Sequence, residues 1–287
     1  MMSQLAFSAG AVTAAMELGR RLGIGRVNPV VLHTSQHVSI RLLPTSLVAR
    51  AVRDDAQSLA RLRRELSVGQ HLAVRRAPCV RLAAAVPPGP HFSDGFAVTF
   101  WEFVSHVPAD EANAEHTAHA AAALNRVHQA LADFPSKLPN FGAKIDQCHN
   151  VLQARSALPA LPPGDRQFLL SVYSSLRTAL DQLPVRHVPI LGDAHLGNVF
   201  ITSDGALWND FEDACLGPRE WDIGFLPEPE LATFEPLNRD ALVVLGYLRS
   251  LCVSVWCWAL ADIPEKREAA EYHLGHLREQ ASAGRIP

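Results

Sequence analysis

The sequence predicts an α+β protein, with a small β-rich lobe over residues 1–104 and a larger, mostly helical lobe over residues 105–287. Three observations carry that reading. Two β-branched runs, VVLHTSQHVSIRLL and SLVARAV, flank a Pro-Thr-Ser turn at Pro44–Ser46, the texture of a hairpin. Beyond Val104 the chain turns Ala-rich and helix-favouring, with breaks at Pro135, Pro139, Pro159, Pro162 and Pro163. Between Leu191 and Asp222 two short strand-like runs alternate with carboxylates.

The elements follow in order. Residues 8–23 have helical spacing, with Val12, Met16 and Leu22 on one face. The hairpin strands come next, from Pro29. Asp54 to Arg75 returns to helical spacing, with Leu59, Leu62, Leu66 and Ala73 along one side. A Pro-Gly-rich loop at Pro87–Pro90 precedes a strand over Phe96 to Val104. Glu111 to Ala132 and Gln167 to Gln182 read as helices. Val199, Phe200, Ile201 and Thr202 form one short strand, Ser203–Gly205 a turn, and the run up to Asp210 a second strand; helices continue to the end. Leu242 to Ala261 is long and apolar enough for a membrane span, but Arg249 inside it would cost a few kcal/mol at mid-bilayer. A buried helix of the larger lobe is the reading adopted. A ligand is expected in a cleft between the lobes.

Composition narrows the function. The net charge of −3 provides no basic field, so no nucleic-acid partner is expected. The five cysteines include no C-x-x-C pair, which argues against a zinc knuckle or a redox motif and for a reducing compartment. The start, MMSQLAFSAGAVTAAMELGRR, has no basic leader before an apolar run. The expectation is a cytoplasmic protein with no membrane partner; nothing in the sequence specifies its oligomeric state.

The densest chemistry lies in LGDAHLGNVFITSDGALWNDFEDACLGPREWD. Asp193 follows a glycine, where a carboxylate can accept the proton of an incoming hydroxyl. Asn198 and Asp210 are the residue types that ligate Mg²⁺, which takes oxygen ligands and keeps substrate phosphates in its shell. A turn Asp, a loop amide and a strand-end carboxylate explain each one alone. The three in this order point to phosphoryl transfer, in which the protein mainly positions groups and neutralises charge.

LGDAHLGNVF followed by NDFEDACLGPREWD resembles the catalytic core of the aminoglycoside phosphotransferase family, a branch of the protein-kinase-like small-molecule kinases. The resemblance implies a two-lobed protein-kinase-like fold, ATP and Mg as cofactors (with GTP left open), and transfer of the γ-phosphate to a hydroxyl of a small molecule. That acceptor would be a sugar, amino sugar, aminoglycoside or related alcohol. It implies Asp193 as the catalytic carboxylate and Asn198 and Asp210 as metal ligands. Asp213 is a further metal or substrate contact, His195 a loop organiser, and Asp222 a structural brace of the catalytic loop.

Arg50, in LVARAV, stands where the family has a strand Lys that reaches the phosphates; no Lys precedes Lys137. Its guanidinium forks onto phosphate or carboxylate, unlike an ammonium. Glu65 in the following helix is its candidate partner, with a surface pairing to Arg61 or Arg64 equally open. Phe100 to Val104 resembles the inter-lobe linker, placing Glu102 and Val104 where backbone groups would meet adenine. Ser35, Gln36 and His37 fall where a turn would cover phosphates. Leu191 departs from the family's His, which puts the rigidity of the loop in question.

Rival readings are weighed beside this one. Glu115, His116 and His119 have helical spacing compatible with zinc, although a polar helix face explains them. Asp193, His195, Asp210 and Asp213 can be drawn as a two-metal hydrolase. Arg50 and Leu191 suit a nucleotide-binding pseudokinase or regulatory module. Glu228, Glu230, Glu235 and Asp240 read either as a solvated acidic loop or as a pocket for a cationic acceptor.

Overall fold

The hairpin expected around Pro44–Ser46 forms. In the computed structural model, which describes residues 4–287, α1 (Gln4–Arg21) leads into β1 (Asn28–Thr34), β2 (Val38–Leu43) and β3 (Leu47–Arg53). Then come α2 (Ala56–Val74), β4 (His91–Ser93), β5 (Phe96–Glu102), β6 (Val107–Pro108) and α3 (Ala114–Leu131). The chain continues through α4 (Phe141–Gln153), α5 (Pro163–Gln182), β7 (His187–Ile190), β8 (Val199–Thr202) and β9 (Gly205–Trp208). It ends with β10 (Cys215–Pro218), α6 (Arg219–Ile223), α7 (Glu228–Leu231), α8 (Arg239–Trp258) and α9 (Pro264–Ser282). Met1, Met2 and Ser3, the start of the stretch read as lacking a leader, lie outside the described residues.

The chain divides into two units. One is Met1–Ser136 with His195–Ala214, and the other is Lys137–Ala194 with Cys215–Pro287. The sequence reading set its boundary at residue 104. In the structure β6 and α3 belong to the first unit, because β6 pairs with β8 and α3 packs on β9.

The first unit is built on an antiparallel sheet in the order β1-β2-β3-β5-β4. Side chains alternate across such a sheet, so β3 sends Leu47, Ala49 and Ala51 to one face and Arg50 and Val52 to the other. The first set joins Val38, Ile40 and Leu42 of β2 with Phe96, Val98 and Phe100 of β5, under Phe7, Ala11, Ala14, Ala15 and Leu18 of α1. On the opposite face Val52 and Ala97 pack against Leu62 of α2. Asp55 caps α2 by accepting from the N–H groups of Gln57 and Ser58, both at 3.0 Å. The strand expected to reach Val104 ends at Glu102, because its pairing with β3 finishes at Leu47 and the Phe103 N–H turns to the Ser46 carbonyl at 2.7 Å.

The second unit is mostly helical. Ile145, Leu169, Leu176, Leu248, Val255 and Leu274 share one core from α4, α5, α8 and α9. Its α8 is long and apolar enough to cross a membrane by length and composition, and half of that stretch is buried. It packs on α5 and α9, and Ser254 Oγ donates to the Ala270 carbonyl at 3.0 Å. The pairing of β10 with β7 departs from the all-helical ending expected of the sequence; four residues of CLGP carry no readable period. Gly217 makes that pairing possible. A Cβ there would lie 2.8 Å from Ile190 Cδ1 and 2.9 Å from Phe141 Cβ. Gly217→Ala is therefore expected to destabilise the protein by about 1–3 kcal/mol through overpacking. Thermal unfolding checks this, and an unchanged midpoint would contradict the close approach.

Candidate active site

In the first unit β3 supplies Arg50, α2 supplies Glu65, and the segment after β9 supplies Asn209 and Asp210. Arg50 is buried and ion-paired with the fully buried Glu65. Its Nη2 donates to Asn209 Oδ1 at 3.3 Å, and its Nη1 lies 3.6 Å from Asp210 Oδ1. Burial works against the Arg50 charge, but Glu65, Asp210 and Glu212 outweigh it and hold the guanidinium more firmly protonated than usual. Burial pushes the Glu65 carboxyl upward; Asp210 and Glu212 add to that, against Arg50. The surface alternative for Glu65 is closed. Arg61 instead reaches Gln36, Glu212 and Asp213, and Arg64 donates to the Glu212 carbonyl.

Asp210 has φ of +67°, a backbone region that side-chain-bearing residues rarely occupy and that recurs at functional sites. Its Oδ1 is buried and receives no hydrogen bond. The Asn209 N–H donates to the Asn198 carbonyl at 3.0 Å, and the Asn198 N–H to the His195 carbonyl at 2.9 Å, so the residue preceding Asp210 is tied to the backbone of Asn198. A buried carboxylate oxygen that receives no hydrogen bond is a ligand that Mg²⁺ accepts when phosphate oxygens complete its shell. Among the described residues no three His, Cys, Asp or Glu side chains form a metal cluster. His116 Nδ1 accepts from the Asp110 N–H at 3.2 Å, which ties it to the turn before α3.

Other predicted residues sit nearby within the same unit. Asp213 Oδ1 lies 3.7 Å from Arg61 Nη2, and Glu212 Oε1 3.6 Å from Arg61 Nη1. Burial, then Asp210, raises the Glu212 pKa to about 7. His37 is buried at the β1–β2 turn; burial first, and the Arg50 charge second, hold its ring well below the ordinary imidazole range. The His195 ring covers Gly197, where a Cβ would lie 2.8 Å from it. The Glu102 N–H is taken by the Arg81 carbonyl at 2.9 Å, and His106 Nδ1 lies 2.8 Å from the Val104 carbonyl oxygen.

The second unit holds Asp193 on a loop clamped from several directions. Asp222 accepts the Leu191 N–H at 2.7 Å and the Gly192 N–H at 2.9 Å. Trp221 Nε1 and Lys144 Nζ each donate to the Gly192 carbonyl at 2.8 Å. Both Arg249 terminal nitrogens donate to the Ala194 carbonyl at 2.9 Å. Gly192 has φ of +77°, a conformation that costs glycine little and lets the chain turn here. Lys144 Nζ lies 3.4 Å from Asp193 Oδ1. The loop is thus braced without the histidine that Leu191 replaces.

Sequence reasoning missed Asn209, Lys144 and Trp221, and read Arg61 as a surface partner open to Glu65. Arg249 carried a usable signal, a cation inside an apolar helix that must find acceptors. Lys144 carried none, because its partners lie about fifty residues away in sequence.

The family model described as APH: Phosphotransferase enzyme family matches residues 19–262. Among solved structures, APH(2")-IIia in complex with GDP and kanamycin is 16% identical, with a TM-score of 0.71, covering 94% of this chain and 98% of its own. The amicoumacin kinase hAmiN, in complex with AMP-PNP, Ca²⁺ and Ami, is 13% identical, with a TM-score of 0.71 and coverage of 92% and 93%. A choline/ethanolamine kinase family protein from Mesorhizobium loti is 18% identical, with a TM-score of 0.64 and coverage of 92% and 93%. The fold is that of these kinase-like phosphotransferases. No curated protein sequence matches the chain.

Arg50→Ala would leave Glu65 buried without its cation, and is expected to cost about 3–5 kcal/mol in denaturant unfolding. Arg50→Met combined with Glu65→Leu should recover most of that loss. A loss below about 1 kcal/mol for Arg50→Ala would mean that the pair is not closed as described.

Proposed function

The chain belongs to the phosphotransferase enzyme family, and from that premise we propose that it transfers the γ-phosphate of ATP, with Mg²⁺, to a hydroxyl of a small molecule. The observation that carries this reading is the cluster of Arg50, Glu65, Asn209 and Asp210, in which a buried cation is aligned by one carboxylate and faces another. Glu65 fixes the guanidinium, whose planar fork suits phosphate oxygens. Asn198 and Asp210 would hold Mg²⁺, which when bound neutralises phosphate charge. Asp213 is a weaker candidate contact, oriented by Arg61.

Asp193 aligns the acceptor hydroxyl and takes its proton at the carboxylate. Asp222 fixes the backbone that carries Asp193, so it braces the loop without touching the acceptor; His195 organises the turn leading to Asn198. The backbone at Glu102 and Val104 is the proposed place for the purine, with ATP preferred and GTP tested beside it. Solved structures of the fold hold kanamycin or amicoumacin, and one is of a choline/ethanolamine kinase family protein, which suits a small hydroxylated acceptor here.

The test is acceptor-dependent release of ADP or GDP across sugars, amino sugars, aminoglycosides and choline-like alcohols. Asp193→Asn should lower turnover about 10²–10⁴-fold while nucleotide affinity stays within about twofold. Full turnover in that variant would remove Asp193 from the reaction. Binding of ATP-Mg with no transfer to any acceptor would favour a regulatory module.

A further inference from the structure

We propose that Arg41 binds the base of the nucleotide, its guanidinium lying between the Phe103 ring and the purine; this rests on the backbone at Glu102 and Val104 being the place of the base. All the residues concerned belong to the first unit. Strand pairing sets Val30 of β1 opposite Arg41, and Arg41 opposite Val48 of β3, so the three form one row across a single face of the sheet. It is the face turned away from α1, since Ile40 and Leu42, on either side of Arg41 in β2, point into the core under that helix. Val30 is 43% exposed, and Arg41 and Val48 are half-buried, so the row is accessible to a ligand. On the next row of the same face, Ser39 is opposite Arg50. Two residues of strand separate the rows, about 7 Å, which suits a base on one and the phosphates of the same nucleotide on the other.

Arg50, Arg61 and Arg75 are each ion-paired with a carboxylate of the same unit. Arg41 is not. Its Cζ lies 3.4 Å above the centre of the Phe103 ring, its Nε is buried with no hydrogen-bond partner, and among the described residues no carboxylate pairs with it. A guanidinium is flat, weakly hydrated and able to stack on π-faces. One side of Arg41 rests on Phe103, and a purine against the other side completes the stack, flanked by Val30 and Val48. An anion would need further donors beside the cation, and its neighbours in the row are aliphatic. The linker meanwhile has little left to give the base. The Glu102 N–H is spent on the Arg81 carbonyl at 2.9 Å and the Phe103 N–H on the Ser46 carbonyl at 2.7 Å, while His106 Nδ1 lies 2.8 Å from the Val104 carbonyl oxygen. With these groups committed inside the protein, the hold on the base falls to a stacked side chain. Stacking reads a π-face rather than a hydrogen-bonding edge, so adenine and guanine are held alike.

The experiment is calorimetric titration of the whole chain with adenosine, guanosine, ATP-Mg and tripolyphosphate-Mg, using the wild type, Arg41→Ala and Arg41→Lys. Arg41→Ala should weaken adenosine, guanosine and ATP-Mg about tenfold each, the size of a stacked guanidinium contact, and leave tripolyphosphate unchanged. Arg41→Lys keeps the charge without the plane, and should still lose about threefold or more on adenosine. Adenosine affinity in Arg41→Ala equal to that of the wild type would overturn the proposal. So would a loss confined to ATP-Mg and tripolyphosphate, which would make Arg41 a phosphate contact, or full wild-type affinity in Arg41→Lys, which would make it a point charge. If Arg41→Ala does not fold, Arg41→Lys decides by the same comparison of adenosine with tripolyphosphate. A wild type that binds neither ATP-Mg nor adenosine would refute the nucleotide reading itself; a wild type that binds both, beside an unaffected Arg41→Ala, refutes this inference alone.

Discussion

The first unit depends on one constraint, a guanidinium and a carboxylate that must neutralise each other out of water. Neither Arg50 nor Glu65 would be stable there alone, because an unpaired buried charge costs several kcal/mol. The surrounding structure follows from that requirement. The alternation of β3 turns Arg50 away from the small apolar face that accepts α1 and toward α2. Leu62 and Leu66 anchor α2 by its apolar side, which brings Glu65 to the sheet. Gly69 lets the same helix approach Trp101, whose ring a Cβ would meet at 3.0 Å. A buried ion pair adds little net stability over an apolar core. Its presence here is more readily understood as an arrangement for holding a cation in a fixed direction.

The loop around Asp193 solves a related problem with backbone groups. Three successive residues, Gly192, Asp193 and Ala194, are held by hydrogen bonds that Lys144, Trp221 and Arg249 donate to them and by the Gly192 N–H that Asp222 accepts. Such bonds fix the loop whatever side chain stands at residue 191, so the replacement of the family's histidine by Leu191 leaves the loop restrained. Leu191 is itself buried, and its N–H is one of the two that Asp222 receives.

Much of this was legible in the sequence because it rests on local pattern. The hairpin, α2 and the strands flanking Ser203–Gly205 have clear periodicity and turn residues, and the order of Asp193, Asn198 and Asp210 needs no structure to be noticed. Short pairings such as β6 with β8 and β10 with β7 were not legible, because two to four residues carry no period. The partners of Lys144 and Arg249 were equally hidden, since they come from contacts between segments far apart in sequence. Arg50 lay between these cases. The resemblance suggested its role, but only the fold brings Glu65 and Asn209 to it and excludes the surface pairing of Glu65.

The central claim is that Glu65 holds Arg50 in position for the phosphates of a bound nucleotide. Isothermal titration of Glu65→Gln with ATP-Mg and, separately, with adenosine tests it most directly. The account predicts about a tenfold weaker hold on ATP-Mg, the size expected when a charge-assisted contact is misaligned, with adenosine affinity unchanged. Undiminished ATP-Mg affinity, or an equal loss for both ligands, would contradict it.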